Sequence, residues 1–538
     1  MGGVTAKKAP TKPRSWPVAC AAALSGLLAG FASLAVAELV SAAVRPESGP
    51  VTAVGGAVID RTPSGVKDWA VQTFGSADKV VLLGGILVLL ALFGIALGLL
   101  ALRYRRAASA GVLVFGVVGA VAAAGRPDGS ATDAIPSVVG AMAGAAVLYL
   151  LAGRLTAGSA AEETGGPKDR QRTAAGFDRR GFVAAAAATA AASAGAGVLG
   201  RRLNASSGAE AAASRSGIVL PRPASPAGAV PAGADLKIDG LSPFTTPNSD
   251  FYRVDTALVV PKVDATTWKL RIHGRGVRRE LELTYDDLLR RDLVERDITL
   301  TCVSNEVGGP YVGNARWIGV PLADLLREAG VRAPSAGGPA DQLVARSVEG
   351  MTFGSPVETV LDGRDALLAL GMNGEPLPFR NGFPVRMVVP GLYGYVSACK
   401  WLTELELTTF DDYDVYWVKR NWAREAPVKT QSRIDTPKPF ATPSPGTVRV
   451  AGVAWAQHRG VDRVEVRVDD GPWRAAELAA EHSADTWRQW VWDWPATSGR
   501  HRLEVRATDG KGRTQTAERV GTIPDGATGW HSVVVNVA

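Results

Sequence analysis

The chain has 538 residues, of which 46% are hydrophobic and 21% charged, and its formal net charge is +7. This length allows roughly three or four domains. Its three cysteines exclude a disulfide framework and a multi-cysteine zinc or iron–sulfur centre, because such sites need more thiols. A basic balance suits a nucleic acid or a membrane surface as partner. The distribution of the basic residues favours the membrane and gives no sign of nucleic-acid binding.

Long apolar stretches dominate the chain up to about residue 200. Four of them are long enough to cross a bilayer, which takes about 20 residues, and a fifth is rich in Ala and Gly. We predict transmembrane helices at 18–44, 80–102, 110–124, 134–151 and 181–200. None contains His, so they offer poor axial ligands for haem. Residues 1–203 are therefore predicted to be an α-helical membrane anchor or a docking surface for a partner.

Basic residues decide the predicted orientation, because Lys and Arg are retained on the cytoplasmic side of a membrane. Thirteen lie in the loops on one side of the predicted helices and five in the loops on the other. The amino terminus is thus predicted to be cytoplasmic and the second half of the chain extracytoplasmic. This arrangement describes a multi-pass protein of the cell membrane.

An arginine pair, Arg179 and Arg180, precedes the fifth apolar stretch in the run 177–182 (FDRRGF). This order is typical of twin-arginine export signals, which carry proteins already folded around a cofactor. The alternative is a stop-transfer anchor with ordinary positive-inside arginines, and the weak hydrophobicity of the stretch favours export. Residues 209–214 (AEAAAS) have the small residues of a cleavage site, and whether the segment is cleaved or retained stays open.

In the second half, apolar and polar residues alternate as they do in a globular protein. Residues 204–234, rich in Ala, Gly, Pro and Ser, are predicted to be a linker. From 235 to 438, short strand-like runs alternate with helical pieces such as TYDDLLRRD, which is an α+β pattern. From 439 to 538, strands separated by regular turn signals predict an all-β sandwich with an immunoglobulin-like texture.

One cysteine is placed for metal binding. Cys302 ends the strand-like run DITLTC and opens a Gly-containing loop at 303–310. A thiol at the end of a strand is well placed to be a soft metal ligand, whereas a lone cysteine without such context is a small buried hydrophobe. Both interpretations stay open on this residue alone.

A second pattern predicts an anion site. In the run 380–401, a strand begins near Arg386, a Pro-Gly turn follows, and Lys400 begins the next strand. Two cations and the amides of such a turn can hold a phosphate. The alternative is an ordinary hairpin that carries two solvated charges.

These motifs stand in the order of one enzyme family. The runs are TPNSDFYRVDTALVVP (246–261), the Cys302 loop, GNARWIGVPLADLL (313–326), GMNGEPLP (371–378), FPVRMVVPG (383–391) and a carboxy-terminal sandwich with GWH at 529–531. Together they resemble the sulfite oxidase family of molybdopterin enzymes over the whole predicted exported half.

The resemblance implies a molybdenum–molybdopterin cofactor with Cys302 as thiolate ligand, the metal carrying the oxygen-atom chemistry. It implies that the cofactor is contacted by Asn248, Tyr252, Arg253, Asn381, Arg386 and Lys400, and that its phosphate meets loop groups of Ser397, Ala398 and Cys399. Beside Cys302, the catalytic candidates are Arg253, Trp422 and Tyr416. Candidates for placing a polar or anionic substrate are Arg253, Lys419 and Arg420.

Two departures from the family bear on the substrate. Glu306 follows the cysteine where the sulfite-oxidising branch has a basic wall, and Trp422 stands where that branch has a tyrosine. We therefore expect two-electron oxygen-atom transfer on a small substrate, with sulfur compounds as one class and sulfite itself open. Because no haem domain accompanies the cofactor domain, we expect a separate electron-transfer partner, a cytochrome or a quinone-linked membrane protein. The sandwich is expected to form a homodimer.

Two alternatives remain. The same cofactor serves sulfoxide-type reductases, which run the electrons in the other direction. An exported binding module that keeps the fold without the cofactor is the second alternative, and the presence of Cys302, Arg386 and Lys400 together favours an enzyme over it.

Overall fold

The computed structural model describes residues 16–63, 66, 69–70, 73–74, 77–126, 129–164, 179–255 and 257–538. The chain divides into two compact units, Met1–Gly208 with Thr256–Val259, and Ala209–Asp255 with Val260–Ala538. Phe177 and Asp178 of the predicted export motif lie outside the described residues, as do the basic residues before position 16.

The first unit is helical. Its long elements are α1 (Trp16–Val44), α2 (Pro50–Arg61), α3 (Asp78–Ala101), α4 (Arg105–Ala124), α5 (Ile135–Thr164) and α6 (Arg179–Ser216). Among the described residues, five helices are by length and composition apolar enough to cross a membrane: Trp16–Val44, Lys79–Ala101, Arg105–Ala124, Ala131–Thr156 and Arg179–Ser216. They coincide with the five predicted apolar segments, so the helical character of this half is confirmed. The shorter α2 has no counterpart among the predictions.

Small residues let these helices pack closely. A Cβ atom on Gly26 of α1 would lie 1.8 Å from the carbonyl oxygen of Gly94 in α3, and one on Gly98 would lie 2.1 Å from the carbonyl oxygen of Ala22. No larger side chain fits at these positions. The close backbone approach needs small residues at the contacts, which accounts for the Ala and Gly excess of this half.

Residues 204–234 differ from the predicted linker. Helix α6 continues to Ser216, and beyond it Ser225 forms a parallel bridge to Val294. The N–H of Ala224 donates to the carbonyl of Leu293 at 2.8 Å. Alanine favours the helical state, and the extended part gains backbone hydrogen bonds. The first piece is therefore helical, and the second is an irregular segment that backbone hydrogen bonds hold against the start of β3.

Two sheets form the α+β part of the second unit. Its strands are β1 (Lys269–Gly274), β2 (Leu281–Thr284), β3 (Val294–Thr301), β4 (Val312–Pro321), β5 (Gln342–Ser347), β6 (Thr352–Pro356), β7 (Leu367–Met372), β8 (Glu375–Pro376), β9 (Arg386–Val388) and β10 (Leu402–Thr408). One sheet has the order β2-β1-β10-β5-β6, in which β1 and β10 are parallel. The other has the order β3-β4-β7-β8, with β9 paired to β7. The short helices are α7 (Tyr285–Leu289), α8 (Leu322–Glu328), α9 (Val357–Leu361) and α10 (Gly394–Ser397).

Strand β3 carries the chain into the core. Its first residues, from Val294, are half-buried, and its last five, ending at Thr301, are buried. Because burial increases along the strand, the next residue, Cys302, is delivered to the interior.

The carboxy-terminal region is β-rich, as predicted. Its strands are β11 (Gln431–Thr436), β12 (Gly446–Trp455), β13 (Val461–Val468), β14 (Arg474–Ala475), β15 (Glu477–Leu478), β16 (Arg488–Ala496), β17 (Gly499–Asp509) and β18 (His531–Val537). They form two sheets, β11-β12-β16-β15 and β14-β13-β17-β18. Apolar residues from both sheets, Trp490 and Val505 among them, share one core. Strand β11 precedes the predicted boundary at 439 and pairs with β12.

Candidate active site

Two antiparallel segments, β9 and the residues just before β10, carry the predicted anion-binding residues, and we call this pair of segments the hairpin. The N–H of Met387 donates to the carbonyl of Cys399 at 2.9 Å, and the N–H of Leu402 donates to the carbonyl of Val385 at 3.0 Å. The segments before and after the Pro-Gly turn therefore run side by side, with α10 in the connection. Both Arg386 and Lys400 are buried on this hairpin, so they are not solvated surface charges.

Glycine at position 382 permits the close approach of Lys400. The φ angle of Gly382 is +114°, and a Cβ atom there would lie 3.0 Å from the Cβ of Lys400. Asn381, directly before it, is buried and accepts a hydrogen bond through its carbonyl from Nη1 of Arg386 at 3.3 Å. The turn thus brings Asn381, Arg386 and Lys400 together.

Cys302 begins a closed loop. Its N–H donates to the carbonyl of Tyr311 at 2.9 Å, and Oδ1 of Asn305 accepts from the N–H of Tyr311 at 2.7 Å. Burial raises the pKa of the Cys302 thiol, whereas hydrogen bonds from Ser304 and the positive charge of Lys400 oppose that rise. The thiol therefore lies within electrostatic reach of Lys400.

The carboxy-terminal region supports this loop. Nη1 of Arg433 donates to the carbonyl of Gly309 at 2.8 Å. A Cβ atom on Gly308, whose φ is +81°, would lie 2.1 Å from Cδ2 of His531. Burial lowers the pKa of His531 to about 4, so its imidazole is neutral at pH 7. A neutral ring packed against glycine can hold the cysteine loop without adding charge.

Tyr252 is a further predicted residue brought to this place. A Cβ atom on Gly394, at the start of α10, would lie 3.9 Å from the Tyr252 hydroxyl and 3.7 Å from the carbonyl of Thr301. Burial raises the pKa of Tyr252, the charge of Cys302 raises it further, and Arg386 opposes the rise. The phenol therefore stays protonated at neutral pH and can donate a hydrogen bond.

Asp255 is a site residue that the sequence did not single out, although it lies in the run 246–261. Its Oδ2 accepts from Nζ of Lys400 at 2.6 Å and from Nε of Arg253 at 2.8 Å. Burial lowers the pKa of Lys400 to about 8, and the carboxylate of Asp255 opposes that fall. A lone Asp in an extended segment carries no sequence signal, because its burial and its partners appear only in the fold.

Other predicted cofactor residues are engaged within the protein. Nδ2 of Asn248 donates to the carboxylate of Glu375 at 2.6 Å, which places Asn248 in a separate polar network. The Ser397 hydroxyl donates to the carbonyls of Leu392 and Tyr393, both at 3.0 Å, and the N–H of Ala398 donates to the carbonyl of Gly394. These groups close the turn around α10.

Cys399 is fully buried on the hairpin. Burial raises the pKa of its thiol, and the negative charge of Glu349 raises it further. Glu349, itself buried, is a second acidic residue that no sequence motif indicated.

The remaining predicted residues form an aromatic group. The Trp422 ring lies 5.4 Å from that of Tyr395 in α10 and 6.1 Å from that of Trp417. The guanidinium of Arg420 lies 3.5 Å from the centre of the Tyr416 ring, and Nζ of Lys419 lies 5.0 Å from the centre of the Tyr413 ring. Trp422 is thus connected to α10, while Tyr416 and both cations are stacked in cation–π pairs.

Residues 257–417 match the family model described as "Oxidoreductase molybdopterin binding domain". Human mitochondrial sulfite oxidase is 30% identical over 303 residues, 49% of this chain and 55% of the human protein. The Gallus gallus sulfite oxidase is 32% identical over 290 residues, 46% of this chain and 62% of that protein. The chain thus spans about half the length of the curated relatives it matches. Among solved structures, the sulfane dehydrogenase SoxCD from Paracoccus pantotrophus has 23% identity and a TM-score of 0.47, over 55% of this chain and 84% of that one.

The match to the family model indicates a molybdopterin-binding oxidoreductase domain in the second half of the chain. The matched family domain and the sulfite oxidase relatives support the sulfite oxidase family of molybdopterin oxidoreductases for the second half of the chain. They imply a molybdenum–molybdopterin cofactor.

The residues present fit that cofactor. In the part of the chain that the structure describes, Nε of Arg386 and Oδ1 of Asn381 are buried polar atoms without a hydrogen-bond partner. The cationic side chains here are Arg253, Arg386 and Lys400, and the anionic ones are Asp255 and Glu349. Their net charge is positive, which suits an anionic phosphate. Cys302 supplies the soft thiolate that molybdenum takes.

The turn at Gly382 yields a test of this geometry. Gly382→Ala is expected to destabilise the protein, since its φ is +114° and its new Cβ would press on Lys400. The backbone strain alone costs roughly 1–3 kcal/mol. The matched control is Gly363→Ala, where φ is +98° and no atom lies within 4 Å. Both variants should lower the unfolding midpoint, and only Gly382→Ala should also lower the molybdenum content. Equal molybdenum in the two variants would contradict the close approach to Lys400.

Proposed function

We propose that this protein is a membrane-anchored, extracytoplasmic molybdenum oxidoreductase that performs two-electron oxygen-atom transfer on a small substrate. The observation that carries the proposal is the meeting of one buried thiol, Cys302, with Tyr252, Arg386 and Lys400. A cluster of this kind, with buried polar atoms left for a ligand, suits a cofactor better than it suits a structural core.

Each side chain has a role toward the cofactor. The Cys302 thiolate holds the metal, and Arg386 and Lys400 neutralise the anionic group. Protonated Tyr252 donates a hydrogen bond, and the buried setting excludes water and strengthens each electrostatic contact. When bound, molybdenum–molybdopterin supplies the exchange of an oxygen atom and two electrons.

The curated relatives are sulfite oxidases, which favours an oxidising direction over a sulfoxide reductase and an enzyme over a binding module. Glu306 is exposed in the loop that follows Cys302, and a negative charge there repels a dianion such as sulfite. Arg253, Trp422 and Tyr416 remain the proposed catalytic residues beside Cys302, and Arg253, Lys419 and Arg420 the candidates for placing the substrate. We infer a small sulfur compound of lower charge than sulfite as the favoured substrate class.

Membrane anchoring is supported by the five long apolar helices and by the bias of basic residues toward one side. Arg45, one of the five basic residues on the proposed outer side, is paired with Asp133 at 2.7 Å, which reduces the net positive charge there.

Electrons are proposed to pass to a separate cytochrome or quinone-linked partner. A homodimer through the carboxy-terminal sheets completes the proposal.

The cofactor proposal is tested by metal analysis of the full-length chain from a host that makes molybdopterin. We expect about one molybdenum per wild-type chain and none in Cys302→Ser, because the thiolate is the protein's ligand to the metal. Cys20→Ser is the matched control, since Cys20 is exposed and lies in α1, and it should keep the metal. Folded wild-type protein without molybdenum or pterin would overturn the proposal.

Turnover of sulfur substrates with an electron acceptor, compared with turnover of sulfoxides with a reduced dye, then reports the direction of electron flow.

Export is tested separately. Changing both Arg179 and Arg180 to Lys should keep the second half of the chain in the cytoplasm, as read by a fused reporter that is active only outside it, because twin-arginine signals depend on the arginine pair. The matched control changes Arg201 and Arg202 to Lys, a pair in the same helix that follows the apolar stretch instead of preceding it. Normal export of the first variant would leave the helix as a stop-transfer anchor only.

A further inference from the structure

Asp255 connects two residues of the predicted cofactor site. Its side chain is 4% exposed and that of Lys400 is 10% exposed, and 2.6 Å separates Oδ2 from Nζ. Arg253 contacts the same carboxylate with two nitrogens, Nε at 2.8 Å and Nη2 at 3.2 Å. One buried carboxylate therefore serves a buried ammonium and a partly exposed guanidinium.

The flexibility of lysine makes such a partner necessary. Its ammonium is a compact charge on a four-carbon stem with many rotamers, so burial alone does not fix its position. A charged hydrogen-bond partner does, and partners of this kind around a metal site orient the groups that contact the metal or its cofactor. The contact of Lys400 with the Gly382 turn limits its stem, and Asp255 fixes its tip.

We propose that Asp255 is a positioning residue that holds the Lys400 ammonium in place for the anionic group of the cofactor, an inference that rests on the proposed function. Loss of its negative charge then weakens cofactor retention although every residue that contacts the cofactor is still present. The negative charge of the carboxylate, rather than the volume of the side chain, determines how well the cofactor is retained.

The test compares Asp255→Asn with Asp255→Glu in full-length protein from a molybdopterin-producing host. Asn keeps the size and loses the charge, whereas Glu keeps the charge on a longer stem. Asp255→Asn should lose molybdenum and pterin about 10- to 100-fold faster after dilution, and Asp255→Glu should recover most of the retention. The control is Asp324→Asn, an exposed carboxylate paired with Arg327 at 3.0 Å, which should behave as wild type. The proposal is overturned if Asp255→Asn retains the cofactor as well as wild type does, or better than Asp255→Glu does.

A double variant shows whether Asp255 acts through Lys400. In Lys400→Met protein, Asp255→Asn should cause little further loss of cofactor, and an undiminished loss contradicts the proposal. If wild-type protein holds no molybdenum, the proposed function fails, and the pair is tested in the metal-free chain. There the two substitutions should affect the free energy of unfolding non-additively, as expected for residues in contact, and additive effects overturn the pairing.

A different observation bears on the cleavage motif at 209–214. These residues lie inside α6, which ends at Ser216, and Ala211 is fully buried. The Ser214 hydroxyl oxygen accepts from the N–H of Ala265 at 3.2 Å. Arg215 donates to the carbonyls of Leu377 at 2.8 Å and Pro376 at 2.6 Å. A protease needs an extended segment. Four of the six residues here are exposed, but the segment is helical and its end is held by the contacts of Ser214 and Arg215.

We infer that the chain is not cut at 209–214 and that the fifth apolar helix is retained as an anchor, independently of the enzymatic activity. The intact mass of chain extracted from membranes should include residues before 209, and a mature chain that begins between 210 and 217 overturns the inference. In limited digestion with elastase, which cuts after small residues, wild type should resist cleavage within 209–214. Arg215→Ala should be cut there, and Arg222→Ala, which alters an exposed arginine, should resist. Equal cutting of wild type and Arg215→Ala contradicts the docking.

Discussion

The burial of positive charge at Arg386 and Lys400 is the constraint on which the site depends. Removing an ion from water costs several kcal/mol after relaxation, so each cation needs a partner in the interior. Lys400 has the carboxylate of Asp255. Arg386 has the carbonyl of Asn381 and lies 5.3 Å from the centre of the Trp317 ring, and its Nε has no hydrogen-bond partner. The protein compensates this charge only in part, which suits the anionic cofactor of the proposed function.

Holding such charges requires rigid supports from distant parts of the chain. Strand β3, which delivers Cys302, lies at the edge of its sheet, and unpaired edges need covering. The carboxy-terminal region covers it, because the N–H of Thr299 donates to the carbonyl of Asp485 at 2.9 Å and Nε2 of Gln457 donates to the carbonyl of Thr299 at 3.0 Å. The β-rich region is therefore part of the support for the active-site loop, whatever its role in assembly.

The surroundings of the site differ in chemistry from its centre. The centre is cationic and buried, whereas the loop after Cys302 carries the exposed Glu306. Beside α10, Trp422 packs against Tyr395 where a phenol is expected from the family pattern. A site with a cationic interior and a less basic approach can retain an anionic cofactor while favouring substrates other than small dianions.

Features encoded by local pattern could be predicted from the sequence alone. The apolar helices, the α+β order, the strand that ends at Cys302 and the hairpin that carries Arg386 and Lys400 all depend on periodicity or short motifs. Asp255 and Glu349 could not be found in this way, because a carboxylate shows its burial only when distant segments pack around it. The course of residues 204–234 could not be predicted for a related reason, since the contacts of Ala224 and Ser225 depend on neighbours such as Leu293 and Val294. Tertiary structure alone decided which charges are buried and which partners they meet, because the cost of burying a charge is set by the whole environment and not by the neighbouring sequence.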